Sequence, residues 1–204
     1  MIKSLHNIEI LVTDSNNYLM LHRNGCFQIS EHLKKNFSQV VTSGNTLINS
    51  NPYWTVVRDP YERFISGIVI DLLQVYNNLD NLSKVLTNDH LNKLFYQNYS
   101  FLKNHQKGFL NHTALQWIYI FNQPLNFVVN IKDLDNFLDL HFKERLNSTL
   151  TNSPLGTKDI IHNFIENDLQ LKNNINLYLS PDYYYLDHAK TQNLFWTWQD
   201  GKIF

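Results

Sequence analysis

The residues with the clearest chemical potential lie in the stretch "TVVRDPYERFISG", positions 55–67. The Asp-Pro pair is typical of a helix N-terminus, because Asp59 can cap a helix and Pro60 suits its first position. Arg58 then lies where an apolar strand ends, beside the positive end of the helix dipole. Ser66 is seven residues beyond Asp59, which returns it to nearly the same side of the helix. The spacing predicts an anion site that uses Arg58 and Ser66.

A second strand, turn and helix is predicted in "YLMLHRNGCFQIS", positions 18–30. Gly25 allows a tight turn, and the N–H groups of residues 25–28 would form a nest for a phosphate-like group. The candidate binding residues of this loop are Arg23, Asn24, Gly25, Cys26, Phe27 and Gln28. Two such loops favour one ligand with two anionic groups. The alternative is that Arg58 pairs with surface carboxylates and Ser66 packs between helices.

Other chemistries are disfavoured by the residues that accompany these loops. The glycine turn lacks the GxxxxGK[ST] pattern of kinases and ATPases. Cys26 has no accompanying base motif, so we predict a small loop residue there and not a nucleophile. A single cysteine excludes an internal disulfide, and no His, Cys and Asp spacing indicates a metal site. We therefore expect a site that works without a metal ion.

The elements that must position these residues follow from the hydrophobic periodicity. Short apolar runs alternate with helix-like stretches, which predicts an α/β architecture with a mostly parallel sheet. The predicted strands cover residues 18–22, 39–43, 53–57 and 126–131. Helices are predicted after the first, third and fourth of these strands and over about 80–122 and 158–190. The length of 204 residues and the lack of a linker favour a single domain, 1–204.

The overall charge and hydropathy exclude several classes of protein. The formal net charge of -1 provides no global basic field, which argues against broad binding to nucleic acid or to an anionic membrane. No run approaches the roughly 20 apolar residues of a membrane span. The N-terminal apolar run is too short for a signal peptide. We expect a cytoplasmic protein whose anion site is built locally.

The two loops resemble the cofactor-binding motifs of sulfotransferases that use 3′-phosphoadenosine 5′-phosphosulfate (PAPS), in particular the carbohydrate branch. "VVRDPYERFISG" matches the pattern R-D-P-[YF]-x-R-x-x-S, and "HRNGC" resembles the first loop. The resemblance implies that Arg23 and Gly25 hold the 5′-phosphosulfate. It also implies that Arg58 and Ser66 hold the 3′-phosphate.

The resemblance extends to "HTALQ", positions 112–116, which is similar to an H-x-x-P-Q segment of that family. Two positions of the first loop depart from the family pattern: His22 replaces a proline, and Phe27 replaces a hydroxyl residue. The fold implied is a three-layer, P-loop-NTPase-like arrangement of a central sheet flanked by helices. His112 becomes the candidate general base, with His105 in reserve.

The function implied is transfer of a sulfuryl group from PAPS to a hydroxyl acceptor, a carbohydrate being favoured by the branch. Arg23 would neutralise charge on the leaving group, and 3′-phosphoadenosine 5′-phosphate (PAP) would be the product. One alternative is a module that binds PAPS or PAP without transfer, which the changes at His22 and Phe27 would favour. The other is an α/β scaffold protein with a coincidental R-D-P turn.

Overall fold

The chain divides into two compact units. The structure is a computed structural model, and it describes residues 10–21, 24, 26–36, 41–43, 50–76, 82–99, 113–120, 125–142 and 156–196. The first, here called the sheet unit, comprises Met1–Arg58, Gln116–Leu150 and Tyr184–Phe204. The second, the helical unit, comprises Asp59–Leu115 and Thr151–Tyr183.

The sheet unit contains a five-stranded sheet in the order β3-β1-β2-β4-β5. Its strands are β1 (Ile10–Val12), β2 (Asn17–Leu19), β3 (Val41–Ser43), β4 (Tyr53–Val57) and β5 (Leu125–Asn130). The pairs β2–β4 and β4–β5 are parallel, whereas β1 is antiparallel to both β2 and β3. Of these five described strands, four therefore run in one direction and β1 is reversed. The predicted α/β class with a mostly parallel sheet is confirmed, and β1 is the described strand that the sequence pattern did not predict.

One face of the sheet packs against α1 (Cys26–Asn36) and α6 (Leu134–Phe142). Trp54 of β4 lies at the centre of this core, with its ring centroid 4.6 Å from that of Tyr18 and 4.8 Å from that of Phe137. Its indole N–H donates to Asn16 Oδ1 at 2.9 Å, so the polar atom of this buried side chain is satisfied. The cluster comprises Leu11, Tyr18, Ile29, Leu33, Trp54, Val56, Phe127, Val129, Leu134, Phe137, Leu138 and Trp196.

Several side chains on the opposite face of the sheet, among them Leu19, Thr55 and Val128, are buried as well. All five residues of β4 are buried, as expected of a central parallel strand covered on both faces. The Thr55 hydroxyl on this face donates to the Leu19 carbonyl at 2.7 Å. The sheet is therefore compatible with a three-layer α/β arrangement.

Two further described elements of the sheet unit flank β5 in the chain. The short helix α5 (Gln116–Ile120) precedes β5, and a 3-10 turn (Ile131–Asp133) leads from β5 into α6. Phe195 forms an isolated parallel bridge with Val128 on β5. The helix predicted after the fourth strand is confirmed as α6, on which Leu134, Phe137 and Leu138 are buried and His141 is half-buried.

The helical unit begins with α2 (Pro60–Tyr76), which starts at the predicted residue. Asp59 Oδ1 accepts a hydrogen bond from the Glu62 N–H at 2.9 Å, as an N-cap residue does. The other elements are α3 (Leu82–Val85), α4 (Asn88–Lys93), a π-helix (Leu94–Asn98), α7 (Thr157–Glu166) and the part of α8 (Leu169–Thr191) up to Tyr183. The predicted helical character of residues 158–190 is confirmed.

Aromatic contacts connect the helices of this unit, and within α8 a side-chain hydroxyl replaces a missing backbone donor. Phe64 of α2 contacts the rings of Tyr99 and Tyr178 at centroid distances of 6.2 and 6.0 Å. Pro181 lies inside α8 and cannot donate to the Leu177 carbonyl, which instead accepts from the Ser180 hydroxyl at 2.8 Å. The helix continues through the proline because that carbonyl keeps a donor. Within the described ranges, no helix has the length and apolar character needed to cross a membrane.

The central packing of the sheet unit can be tested with Phe137→Ala. Phe137 is fully buried against Trp54, Phe127 and Trp196. We expect the free energy of unfolding to fall by about 3–5 kcal/mol, because the substitution removes a ring and leaves a cavity. Urea denaturation followed by circular dichroism measures this change. Leu140→Ala on the exposed side of α6 is the control and should change stability by less than about 0.5 kcal/mol; equal losses would contradict the packing.

Candidate functional site at the strand ends

The candidate site lies at the carboxyl ends of β2 and β4 in the sheet unit. These strands are parallel neighbours, so the segments that follow them leave the sheet at the same edge. Asn24 lies in a turn after β2, and its N–H donates to the Leu21 carbonyl at 3.3 Å. Arg58 directly follows β4 and is half-buried. The two predicted loops therefore begin next to each other.

The side chain of Gln116 joins these two segments. Its Oε1 accepts from Asn24 Nδ2 at 2.8 Å and from the Arg58 N–H at 3.1 Å, while its Nε2 donates to the Arg58 carbonyl at 2.9 Å. Asn24 Nδ2 also donates to the Val56 carbonyl at 2.8 Å. Asn24 and Gln116 are only 0% and 1% exposed. The end of β4 and the turn after β2 are thus fixed by one buried amide network.

The Asn24 carboxamide has one unused acceptor. One terminal atom donates two hydrogen bonds to carbonyl oxygens, so this atom is the nitrogen, Nδ2, and the other is Oδ1. Asn24 Oδ1 is buried and has no hydrogen-bond partner within the described part of the protein. Burying an acceptor without a donor costs about 1–3 kcal/mol. A hydroxyl or N–H group of a ligand could donate to this oxygen.

The first turn of α1 provides backbone donors beside this network. The helix begins at Cys26, and the first four N–H groups of any α-helix have no partner within the helix. No acidic residue lies in this turn, whereas Lys34 and Lys35 lie in the last turn. The positive end of the helix dipole therefore has no carboxylate of its own helix beside it. Cys26, predicted to be a loop residue, is instead the first helical residue and is buried.

Cys26 lies close to another buried group, the Tyr18 hydroxyl. Desolvation raises the pKa of Tyr18 well above its ordinary value, with a smaller contribution from Cys26. The Tyr18 hydroxyl oxygen has no hydrogen-bond partner in the described ranges. Tyr18 therefore remains protonated and adds no negative charge beside α1.

The sheet topology places this network at a switch point. From β2 the chain continues through α1 to β3 on one side of the sheet, and from β4 it continues to β5 on the other side. The order of connection reverses between β2 and β4. In open α/β sheets, ligands bind outside the carboxyl ends of the strands at such a point.

The second half of the R-D-P motif lies in the helical unit. Ser66 is on α2 and is 5% exposed. Arg63 is 2% exposed, and its guanidinium donates to the Ala114 carbonyl. Joint phosphate binding by Arg58 and Ser66, which belong to different units, stays a prediction.

The segment that carries Gln116 is anchored on its N-terminal side within the helical unit. The Tyr178 hydroxyl donates to the Thr113 carbonyl at 3.1 Å, one residue before the carbonyl held by Arg63. Nearby, the Tyr99 hydroxyl donates to the Asp71 carboxylate, and burial raises the pKa of Tyr99. Gln116 was missed as a site residue by sequence reasoning. The available signal was its position as the last residue of "HTALQ", where the resembled family pattern also ends on Gln.

Several predicted site residues lie outside the described part of the chain. They are Arg23, Gly25, the candidate base His112 and the reserve candidate His105; His22, which departs from the family pattern, lies outside it as well. For Phe27 and Gln28 the helical backbone is described but the side chains are not. The roles assigned to these side chains remain predictions from sequence.

Neither a search for metal ligands nor comparison with known proteins assigns a function to this site. Among the described residues, no group of three or more His, Cys, Asp and Glu side chains could hold a metal ion. Comparison with models of protein families, with curated proteins and with solved structures found no match.

The amide network can be tested with a double-mutant cycle of Asn24→Ala and Gln116→Ala. Each single substitution should lower the free energy of unfolding by about 1–3 kcal/mol, because it leaves buried partners unsatisfied. The double variant should lose less than the sum, with a coupling energy of about 0.5–3 kcal/mol. Urea denaturation of the four proteins measures the coupling.

Gln192→Ala provides the matched control. Gln192 is exposed in the sheet unit, and its backbone N–H donates to the His188 carbonyl. Paired with Asn24→Ala, it should give a coupling energy near zero. An Asn24–Gln116 coupling as small as that of this control would contradict the network.

Proposed function

We propose that the protein is a sulfotransferase that moves a sulfuryl group from PAPS to a hydroxyl acceptor, with a carbohydrate as the favoured acceptor class. The observation that carries the proposal is the Gln116 amide, which ties the end of β4 to the turn after β2 at the topological switch point of the sheet. These are the two loops whose sequences resemble PAPS-binding motifs. A P-loop-NTPase-like fold belongs to the same proposal.

The features at the end of β2 suit the 5′ end of such a nucleotide. The first turn of α1 carries no acidic residue, so its N–H groups can donate to a phosphosulfate without competition from a carboxylate of that turn. Arg23 precedes this turn in the chain and would add positive charge. The Asn24 Oδ1 atom can accept a hydrogen bond but cannot donate one, so it would suit a ligand hydroxyl and not a phosphate oxygen.

The 3′-phosphate is assigned to Arg58 and Ser66. Gln116 holds both backbone polar groups of Arg58, which fixes the start of its side chain at the strand end. A guanidinium offers a planar pair of N–H donors that matches a phosphate. Ser66 would contribute one hydroxyl donor.

The transfer step requires a general base, a cationic side chain and backbone N–H donors. The acceptor oxygen attacks sulfur, the bond from sulfur to the 5′-phosphate oxygen breaks, and PAP leaves with the bonding electrons. His112 takes the proton of the acceptor hydroxyl as general base. Arg23 and the first-turn amides of α1 stabilise the charge that develops on the leaving phosphate. In this scheme, positive charge comes from the protein, and we expect no metal requirement.

A module that binds PAPS or PAP without transfer is the second candidate. The observation that favours it is Phe27, which lies in the first turn of α1 where the resembled pattern has a hydroxyl residue. Such a module would retain nucleotide binding and lack turnover. Incubation with PAPS and a panel of hydroxyl acceptors, with PAP release as the readout, distinguishes the two functions.

Nucleotide binding is tested by thermal unfolding in the presence of PAP and of adenosine 5′-phosphate. At a hundredfold excess over Kd, PAP should stabilise the fold by about 2.7 kcal/mol and raise Tm by several degrees. Adenosine 5′-phosphate lacks the 3′-phosphate and should give a smaller shift at equal concentration. Equal shifts would remove the role assigned to Arg58 and Ser66, and no shift with either nucleotide would leave the scaffold alternative.

Arg58→Ala tests the 3′-phosphate contact directly. We expect PAP binding to weaken by about 1.5–3 kcal/mol, since a charge-assisted contact is lost. Affinity for adenosine 5′-phosphate should change much less. Lys132→Ala, an exposed cation after β5, is the control for a general loss of positive charge. Isothermal titration calorimetry gives the affinities, and equal PAP affinity in folded Arg58→Ala and Lys132→Ala proteins would refute the assignment.

The catalytic role is tested with His112→Ala. Turnover should fall roughly 10²–10⁴-fold, because a positioned base contributes to the transition state. PAP affinity should be nearly unchanged, since the base does not hold the nucleotide. Turnover within a few-fold of the unaltered protein would make His112 a structural residue, and His105→Ala is then measured in the same assay.

A further inference from the structure

The helical unit has a polar cavity, open to solvent, that the proposed nucleotide site does not use. Its volume is about 410 Å³, and it lies against α4, α7 and the turn that follows α7. Four of the side chains that line it are carboxamides: Asn88, Asn92, Asn163 and Asn167. The size is within the range of about 300–1,000 Å³ that is typical of small-molecule sites.

Helical spacing explains why these amides converge. Asn88 and Asn92 are four residues apart on α4, and Asn163 and Asn167 are four residues apart at the end of α7. Residues at this spacing lie on the same side of a helix. Within the described part of the chain, none of the four side chains has a hydrogen bond to another protein group. The cavity therefore presents several amide donors and acceptors together.

An aromatic ring forms part of the same wall. Phe164 lines the cavity and is stacked on Phe95, with a centroid distance of 5.7 Å and an interplanar angle of 9°. Because one face of Phe164 is packed on Phe95, the ring is held in place. A fixed ring beside hydrogen-bonding groups can contact the C–H groups of a ligand.

The charge of the cavity disfavours an anionic ligand. Among the described residues that line it, Asp168 is the only charged one. One of its carboxylate oxygens accepts a hydrogen bond from the Tyr96 hydroxyl. The other accepts from the Leu171 N–H, so the Asp168 side chain caps the N-terminus of α8. This carboxylate therefore has structural partners, and the described part of the lining offers no cation to hold an anionic ligand.

We infer that this cavity binds a neutral saccharide. A sugar hydroxyl both donates and accepts hydrogen bonds, so it matches carboxamides, which also do both. A sugar ring also has apolar C–H patches that suit the Phe164 ring. The inference does not depend on sulfuryl transfer, because the cavity is tested without a nucleotide.

The first experiment screens neutral oligosaccharides of two to four residues, with and without N-acetyl groups, by saturation-transfer NMR on the whole chain. The saccharide with the strongest signal is then titrated by calorimetry. We expect saturable binding with one site per chain. Absence of binding by every saccharide at millimolar concentration would overturn the inference.

The second experiment locates the binding with Asn92→Leu and Asn163→Leu. Both residues are exposed, so the substitutions should leave the fold intact, which circular dichroism checks. Each variant should weaken binding about threefold to tenfold through the loss of one or two hydrogen bonds. Asn176→Leu, on the exposed part of α8 outside the cavity lining, is the matched control and should bind normally.

The variants also separate this cavity from any other saccharide site. Unchanged affinity in both cavity variants, or an equal loss in Asn176→Leu, would place the saccharide elsewhere and refute the inference. Loss confined to Asn92→Leu and Asn163→Leu would support it. A failure to bind PAP would leave this result unaffected, and a failure to bind saccharide would leave the nucleotide proposal unaffected.

Discussion

The hydrogen bonds of the Gln116 amide are the constraint on which the candidate site depends. A carboxamide can hydrogen-bond both the N–H and the C=O of one residue, as a neighbouring strand does. Gln116 forms both of these hydrogen bonds with the backbone of Arg58. The same side chain accepts from Asn24 and so fixes the turn that leads into α1. The position of the α1 N-terminus relative to the end of β4 follows from these bonds. Removing the amide would leave backbone groups at the strand end without their partner, which proteins rarely tolerate.

The two helices that follow β2 and β4 use their N-termini differently. Asp59 caps α2, and Glu62 lies in the first turn of that helix, so carboxylates already meet the positive end of its dipole. The first turn of α1 has no acidic residue. Backbone amides can therefore recognise an anion at α1, whereas recognition beside β4 depends on the guanidinium of Arg58.

The elements that could be predicted from sequence are those with strong local signals. The strand β4 is a continuous buried run, and α2 has both an Asp-Pro start and a regular apolar face. The strand β1 is as short as β2 and β3, and the sequence pattern did not predict it. It forms through antiparallel pairing with β2 and β3, which is a tertiary effect.

The same distinction applies to the residues of the site. The position of Arg58 was predictable because strand end and helix start are adjacent in the chain. The role of Gln116 was not, because its bond to Asn24 joins residues 92 positions apart. No local pattern encodes such a contact, and a resemblance could only mark the residue. The buried Asn24 Oδ1 acceptor is likewise a property of packing, which composition and spacing do not report.

The R-D-P motif contains two arginines that lie in different surroundings and have different roles. Arg58 is half-buried at the end of a strand, whereas Arg63 is almost fully buried and donates to the Ala114 carbonyl. A buried guanidinium is tolerated only with hydrogen-bond acceptors around it, so Arg63 requires the segment at residues 113–115 to be in place. Tyr178 anchors the same segment through the Thr113 carbonyl. The motif therefore supplies a candidate ligand contact through Arg58 in the sheet unit, whereas Arg63 holds the Ala114 carbonyl within the helical unit.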